Sequence, residues 1–517
     1  MPDVERFRLR HFVDGLRGTD ELVVHDENVP LGAVAARLDG ERRAVLLASA
    51  GPERAALAGN VMGARTRLAA ALGVTVDGVL PEALRRSSSR IPPVEVDTAS
   101  APVHEVVTLG DEVDLTSLPV HLQHERDGGP FISAALDITR KTTDGWFNVG
   151  CRRLMLRGPR ETGIDLNAPS DLRVRYQLAA ARGERLPIAF AIGSHPVDYI
   201  ASGTLTAPTD ELAILGALRT EPVPVVRAVS QDLLVPADAE LVIEGYLDPA
   251  GYVHREGPYG EYLGYYGHTK LNPVFHATAV TRRRDALFQT ATISGRHLAR
   301  TDTAQLVALA TETGVWNALN LAVREPRAVY VHPASGGMFN VRIAITSHFP
   351  GEPRNAIAAA FGAKADVKNV FVVDDDIDVF SDEQIEWALA TRFQADRDFV
   401  VGSGFRAVPL DPSLPAFGAP GAKAGFDLTV GPAANRGDGG LPGPPGPMAD
   451  PPTATSVRDA LDSGAKTFAE LMRALGDDDG RGLVRELHEL VQGGDAELRE
   501  DGRWAAARTD ERGTTPC

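Results

Sequence analysis

Between about residues 104 and 302 the chain is cut into short β-rich segments: VHEVVTL, FISAALDIT, WFNVGCRRLMLRG, LPIAFAIG, AELVIEGYL, NPVFHATAVTRR and ALFQTATISG. Gly, Pro and Asp separate them, and many short strands punctuated in this way suggest a barrel or a sandwich. Two helix-like inserts, near 171–182 and 209–219, interrupt the pattern, the second opening on a Thr-Asp cap signal.

The flanks have different textures, so the chain reads as a multi-domain α+β and α/β protein. Residues 1–103 form a mixed α/β segment, in which Leu57 to Gly73 is Ala-rich with helical spacing and a second helical stretch starts at Glu82. Residues 104–302 are the barrel domain. In 303–434, helical TAQLVALATETG, strand AVYVHPA, helical RNAIAAAFGA and strand KNVFVVDDDID alternate as in a βαβ fold. SDEQIEWALATRF then opens a helix, with Ser381 and Gln384 at capping-box spacing. Residues 435–452 are a Gly/Pro-rich linker. Residues 453–517 hold three helical pieces and a possible hairpin, the outline of a small winged-helix-like appendage.

Composition excludes several function classes. The 517 residues carry 53 basic and 70 acidic side chains, a net charge of −17, which argues against a nucleic-acid backbone as partner. The appendage is acidic too, with 14 acidic and 9 basic residues, so packing or partner binding suits it better than DNA. No run approaches the roughly 18 apolar residues of a spanning helix, so no membrane is expected. The first residues are charged from Asp3 and lack the apolar stretch of a secretory signal. Cys151 and Cys517 are too few for a disulfide framework or a cysteine-built zinc site, which points to a reducing, cytoplasmic setting. P-loop, zincin, serine-hydrolase and dinucleotide motifs are all missing.

Four places carry candidate chemistry. In Glu256-Gly-Pro-Tyr-Gly-Glu261 two carboxylates sit five apart, which on a straight strand would face opposite ways. A turn at Gly257-Pro258 would bring them to one pocket, and the nearby tyrosines would raise a carboxylate pKa toward that of a general acid. The alternative is a surface turn with two solvated glutamates. In Asn148-Val-Gly-Cys151-Arg152-Arg153 an inward arginine would need an anion in its fork, whereas outward arginines would merely flank an edge strand. Glu211 heads an apolar helix and either favours its N-terminus or binds a divalent cation. Lys368 is either a solvated strand-start lysine or a phosphate or flavin contact.

In their order along the chain, Asn148…Arg153, Glu211 with LAILGALR, AELVIEGYL, EGPYGE–GYY, the KNVFVVDDDID strand and EWALATRF resemble the UbiD family of decarboxylases. The resemblance runs from about residue 5 to about 430. It implies a central split β-barrel of the flavin-reductase type, prenylated FMN as cofactor, and reversible decarboxylation of an α,β-unsaturated or (hetero)aromatic acid. It further implies that Glu261 protonates the carbon that loses CO2, with Glu256 and Arg153 completing a Glu–Arg–Glu network. Cys151, Arg152, Arg153 and Lys368 would contact the flavin. Asn148 and Glu211 would ligate Mn2+ or Mg2+ at the cofactor phosphate, with K+ nearby.

One departure stands out. The family's third metal ligand is a histidine about twenty residues beyond the asparagine, and no histidine occurs between Asn148 and Ser194. Asn167 falls near that position and can ligate through its carbonyl oxygen. The family also implies a homodimer or higher oligomer and a flavin prenyltransferase as cofactor supplier. Leu166 and Tyr262 point to a largely apolar small-molecule acid, with tailoring of a natural product to a terminal alkene as a special case. Two other readings stay open: an ordinary flavin-dependent oxidoreductase, and a catalytically decayed relative that binds a partner.

Overall fold

The computed structural model describes residues 3–140, 145–203, 209–363, 366–430 and 451–507. Two compact units divide it, Met1–Pro432 and Ala433–Cys517.

Six antiparallel strands close into a barrel: β1 (Phe131–Arg140), β2 (Phe147–Gly158), β3 (Glu161–Ile164), β4 (Leu186–Ile192), β5 (Leu241–Leu247) and β6 (Val274–Arg282). The order is β5-β4-β1-β2-β3-β6, and pairing of β5 with β6 completes the circle. Closure explains why β1 is buried on both faces over nine of its ten residues. Ile132, Leu154, Ile164, Phe190, Ile243 and Phe275 from all six strands fill one core. Ala134, Leu136, Ile138 and Val149, on the other face of β1 and β2, pack into a second core shared with the helices outside.

Three sequence expectations shift. The strand Glu161–Ile164 was not expected; it is the short return of a hairpin from β2. Val106–Leu109 lies outside the closed ring, paired only to β6. Leu287–Gln289, read with the barrel strands, instead joins the amino-terminal sheet, parallel to Ala55–Gly59. That sheet also corrects the helix expected from Leu57: Ala55–Gly59 is a strand, and the helix is only Arg65–Leu72, closed by Gly73 at φ +70°. Pairing on both sides of Ala55–Gly59 overrides the helical preference of its alanines.

A βαβ unit is present in residues 326–427, but its first strand is the unexpected Asn340–Ile345, and the expected strand Pro326–Val331 pairs antiparallel with it. Strands Asn340–Ile345 and Asn369–Asp374 run parallel across the helix Glu352–Ala363, within a five-stranded sheet. Ser381 caps the helix Asp382–Arg392, but Gln384 turns its side chain to the Asp378 N–H rather than back to the cap. The linker at 435–452 falls largely outside the described residues. Beyond it lie helices Val457–Asp462, Phe468–Leu475 and Arg481–Gln492 and the hairpin Ala496–Leu498/Trp504–Ala506. Among the described residues no helix is long and apolar enough to cross a membrane.

Candidate active site

Strand β2 supplies most of the site because its residues 148–153 run along the wall of one cleft. Asn148 stands across from Thr139 of β1, and Gly150 across from Asp137, while Cys151 and Arg153 face the other way. At the end of β2 where Asn148 lies, two helices begin: α1 (Asp171–Ala181) and α2 (Glu211–Arg219). Strand, helix ends and Tyr262 border a cleft of about 660 Å³, within the usual size of a cofactor pocket. Asn148, Cys151, Arg152, Arg153 and Glu211 all line it.

Both glutamates of the Gly-Pro turn are buried, at 3% and 2% exposure for Glu256 and Glu261. Glu261 accepts from Arg153 Nη1 at 3.3 Å and from Nη2 at 3.0 Å. The same Nη2 lies 2.8 Å from Asp165, and Lys270 bridges Asp165 at 3.0 Å and Glu261 at 3.8 Å. Arg153 also stacks its guanidinium over the Tyr259 ring, 4.4 Å from the centroid. Its neighbours Arg153 and Lys270 overcome the burial of Asp165 and hold that carboxyl well below the usual range.

Glu256 departs from the expected network. Neither of its oxygens has a hydrogen-bond partner, and Arg153 makes its direct contacts with Glu261 and Asp165 instead. Burial pushes Glu256 up to about 7, opposed by the Arg153 charge and by Asn272, which stands close but outside hydrogen-bond geometry. The space for both acids is made by glycines. A Cβ on Gly163 would run into Glu256 Oε2, and one on Gly267 would sit 2.7 Å from Glu261 Oε1.

At the other end of the cleft, Asn148 donates from Nδ2 to Glu211 Oε2 at 3.1 Å, and the Val149 N–H donates to the same oxygen. Asn148 Oδ1, in a residue 5% exposed, has no partner. Burial pushes Glu211 up to about 7, with the charges of Asp137 and Asp171 adding to it and the Val149 N–H working against. Arg152 approaches the fully buried Asp137 at 3.4 Å.

Three expected site residues lie elsewhere. Asn167 spends its amide on Asp165 and Asn272, and it does not line the cleft with Asn148 and Glu211. Its role here is to hold Asp165, which also accepts from the Asn167 N–H. Lys368 is bound by Asp411 and Ser413, both at 2.7 Å, in a separate cavity of about 290 Å³. Leu166 belongs to the barrel core rather than to the cleft wall, whereas Tyr262 does line the cleft. Sequence reasoning missed Asp165, Lys270, Gly163, Gly267 and Asp171. Only Lys270 left a trace, since Glu256 pairs with it across a short hairpin.

A closed antiparallel barrel whose mouth buries a Glu–Arg pair beside a cofactor-sized cleft has the makings of a carboxy-lyase, and comparison with known proteins agrees. Residues 94–297 match the 3-octaprenyl-4-hydroxybenzoate carboxy-lyase Rift-related domain, and residues 304–428 the C-terminal domain of the same enzymes. The anhydromevalonate phosphate decarboxylase of Methanosarcina mazei is 31% identical over 379 residues, 72% of this chain and 84% of that one. The FMN complex of the UbiD-class enzyme HmfF from Pelotomaculum thermopropionicum superposes with a TM-score of 0.80 at 34% identity, covering 85% of this chain and 97% of that one. The 3,4-dihydroxybenzoic acid decarboxylase AroY of Klebsiella pneumoniae gives 0.77 at 29% identity, over 86% and 98%. The chain belongs to the UbiD family and is a carboxy-lyase.

Proposed function

We propose that this chain decarboxylates an α,β-unsaturated or (hetero)aromatic acid, reversibly and without oxidation, with prenylated FMN as cofactor and Glu261 as proton donor. The observation that carries this reading is Arg153: it lines the cleft while gripping the buried Glu261, and it leaves Nε without a hydrogen-bond partner. The cleft fits the cofactor in volume, and its unpartnered Asn148 Oδ1 fits an oxygen donor to a cation at the cofactor phosphate. Asn148 and Glu211 would hold that cation, Mn2+ or Mg2+, and Cys151, Arg152 and Arg153 would border the flavin.

Losing CO2 from an sp2 carbon leaves charge without a resonance outlet, and prenylated FMN supplies the electron sink. The side chains do the rest. Arg153 orients the substrate carboxylate while fixing Glu261 on its other edge. Tyr262, Ile293 and Leu306 form apolar wall and keep water from the reacting carbon. Glu261 passes its proton to the carbon that has lost CO2. Glu256, buried and titrating near neutrality, is the reservoir that restores it. Lys270 and Asp165 keep Arg153 in register.

The test is anaerobic purification after co-expression with a flavin prenyltransferase, followed by intact cofactor mass and CO2 release from a panel of acids. Anhydromevalonate phosphate and 3,4-dihydroxybenzoate belong in the panel, beside cinnamic-type and polyunsaturated acids. Prenylated FMN with CO2 release supports the reading; bound cofactor with nicotinamide oxidation and no CO2 from any acid overturns it. The same reading carries a cytoplasmic homo-oligomer. Its support is the sheet-edge strand Phe399–Phe405, which exposes Phe399 and Val401, and size-exclusion chromatography checks it.

A further inference from the structure

Two helices point acidic first residues at the same end of the cleft. Asp171 opens α1 and Glu211 opens α2, and both line the cavity with Asn148. A carboxylate in a first turn commonly does no more than favour the helix dipole. Here the caps are already supplied. Ser170 Oγ accepts from the Arg173 N–H, and Asp210 Oδ1 accepts from the Leu212 N–H. Asp171 and Glu211 are therefore extra acids, and both border the cleft beside Asn148.

Next to them is the buried Asn148. Its Nδ2 is used on Glu211, while Oδ1 has no partner. A buried carbonyl oxygen without a donor is costly, so such an atom asks for an occupant. Behind β2, Asp137 is fully buried with neither oxygen hydrogen-bonded, and Arg152 lies 3.4 Å from it. Arg175, one turn along α1, offsets part of this charge. At this end of the cleft, beside Asn148, the helix ends bring one amide oxygen and two carboxylates together.

We propose that Asp171 is the third protein donor of a divalent-cation site completed by Asn148 Oδ1 and Glu211, in the place where the family carries a histidine. The site rests on the proposed cofactor only for its phosphate partner. Three oxygens, two of them anionic, suit the hard cations Mg2+ and Mn2+; an imidazole in the set would instead admit Zn2+ and Ni2+. Asn167 is set aside as the third donor because it does not line the cleft that Asn148, Asp171 and Glu211 share.

Mn2+ binding to the full chain measures this directly, followed by the electron paramagnetic resonance signal of the free ion, with no flavin and again with FMN. Wild type is expected to take up one Mn2+. Asp171→Ala and Asp171→Asn are expected to weaken it about tenfold or more, and Asn167→Ala to leave it within about twofold. Asp171→His is expected to keep Mn2+ while Zn2+ competes more strongly than in wild type. Asp171 is exposed, so melting in a chelator should match wild type in the three Asp171 variants, separating lost binding from lost folding. Failure of wild type to bind Mn2+ with FMN present overturns the site, as does unchanged affinity in Asp171→Ala, or an equal loss in Asn167→Ala. CO2 release plays no part in the readout, so a wrong substrate class leaves this result interpretable.

Discussion

Arg153 holds Glu261 by both terminal nitrogens, at 3.3 and 3.0 Å, across 108 residues of sequence. One of those nitrogens is shared with Asp165 at 2.8 Å, so the acid proposed as proton donor hangs from a cation that has a second anchor. A glutamate fixed in this way keeps its direction when its charge changes, which is what a proton donor to carbon requires.

Glu261→Gln keeps the shape of that contact and removes the proton. Flavin retention is expected to be unchanged, and decarboxylation to fall by about 10²–10⁴-fold. CO2 release per bound cofactor measures it; wild-type turnover in the variant would remove Glu261 from the chemistry.

Glu256 gives a pH dependence of stability. Its carboxyl titrates near 7 when folded against an ordinary 4.5, because burial disfavours the charge. The neutral carboxyl therefore stabilises the fold fully below about 4.5, and this contribution is lost as pH rises through about 7. At ~1.36 kcal/mol per pH unit the effect amounts to about 3 kcal/mol. Glu256→Gln is expected to flatten that slope and to be the more stable protein above pH 7, as read by urea unfolding from pH 5 to 8. Parallel curves for the two proteins would refute it.

Gly163→Ala tests the room made for Glu256. The new methyl meets Glu256 Oε2, and overpacking of this kind costs about 1–3 kcal/mol. Gly158→Ala on the neighbouring strand meets nothing within 4 Å and serves as control. The melting temperature should fall for the first and hold for the second, and activity should follow the same order.

Arg219 is a purely structural counterpart. It is buried between Asp198, with two contacts of 2.7 Å, and Asp238. Arg219→Met would leave two buried carboxylates facing each other, at a cost of about 3–5 kcal/mol. Denaturant titration measures it, and a loss below about 1 kcal/mol would mean that the acids take up protons instead.

The sequence made part of this site legible and hid the rest for identifiable reasons. Glu256 and Glu261 flank a Gly-Pro-Tyr-Gly turn, so the sequence singled out both acids; the structure buries both but hydrogen-bonds only Glu261 to Arg153. Asp165 reads as an ordinary acid in a turn; its meaning depends on the hairpin of β2 and β3 that brings it to Arg153. Counting along the chain points to Asn167, because distance in sequence says nothing about which side chains reach the cleft, and Asn167 does not line it. Lys368 was misplaced for the same reason, its ammonium being claimed by Asp411, 43 residues away. The barrel was readable from β texture, but Ala55–Gly59 was not, since its alanines become a strand only through neighbours on both sides.

Leu287–Gln289 has a consequence for how the protein is born. The amino-terminal sheet takes its last strand from a segment that leaves the ribosome after the whole barrel has been synthesised. Until then Ala55–Gly59 is an open edge in a nascent chain, able to pair with whatever strand it meets. A nonsense codon between residues 103 and 287 would release one truncated chain whose amino-terminal sheet lacks its last strand, and quality-control proteases should clear it quickly. The amino-terminal sheet and the barrel are thus a single unit of biosynthesis, although the chain runs through them one after the other.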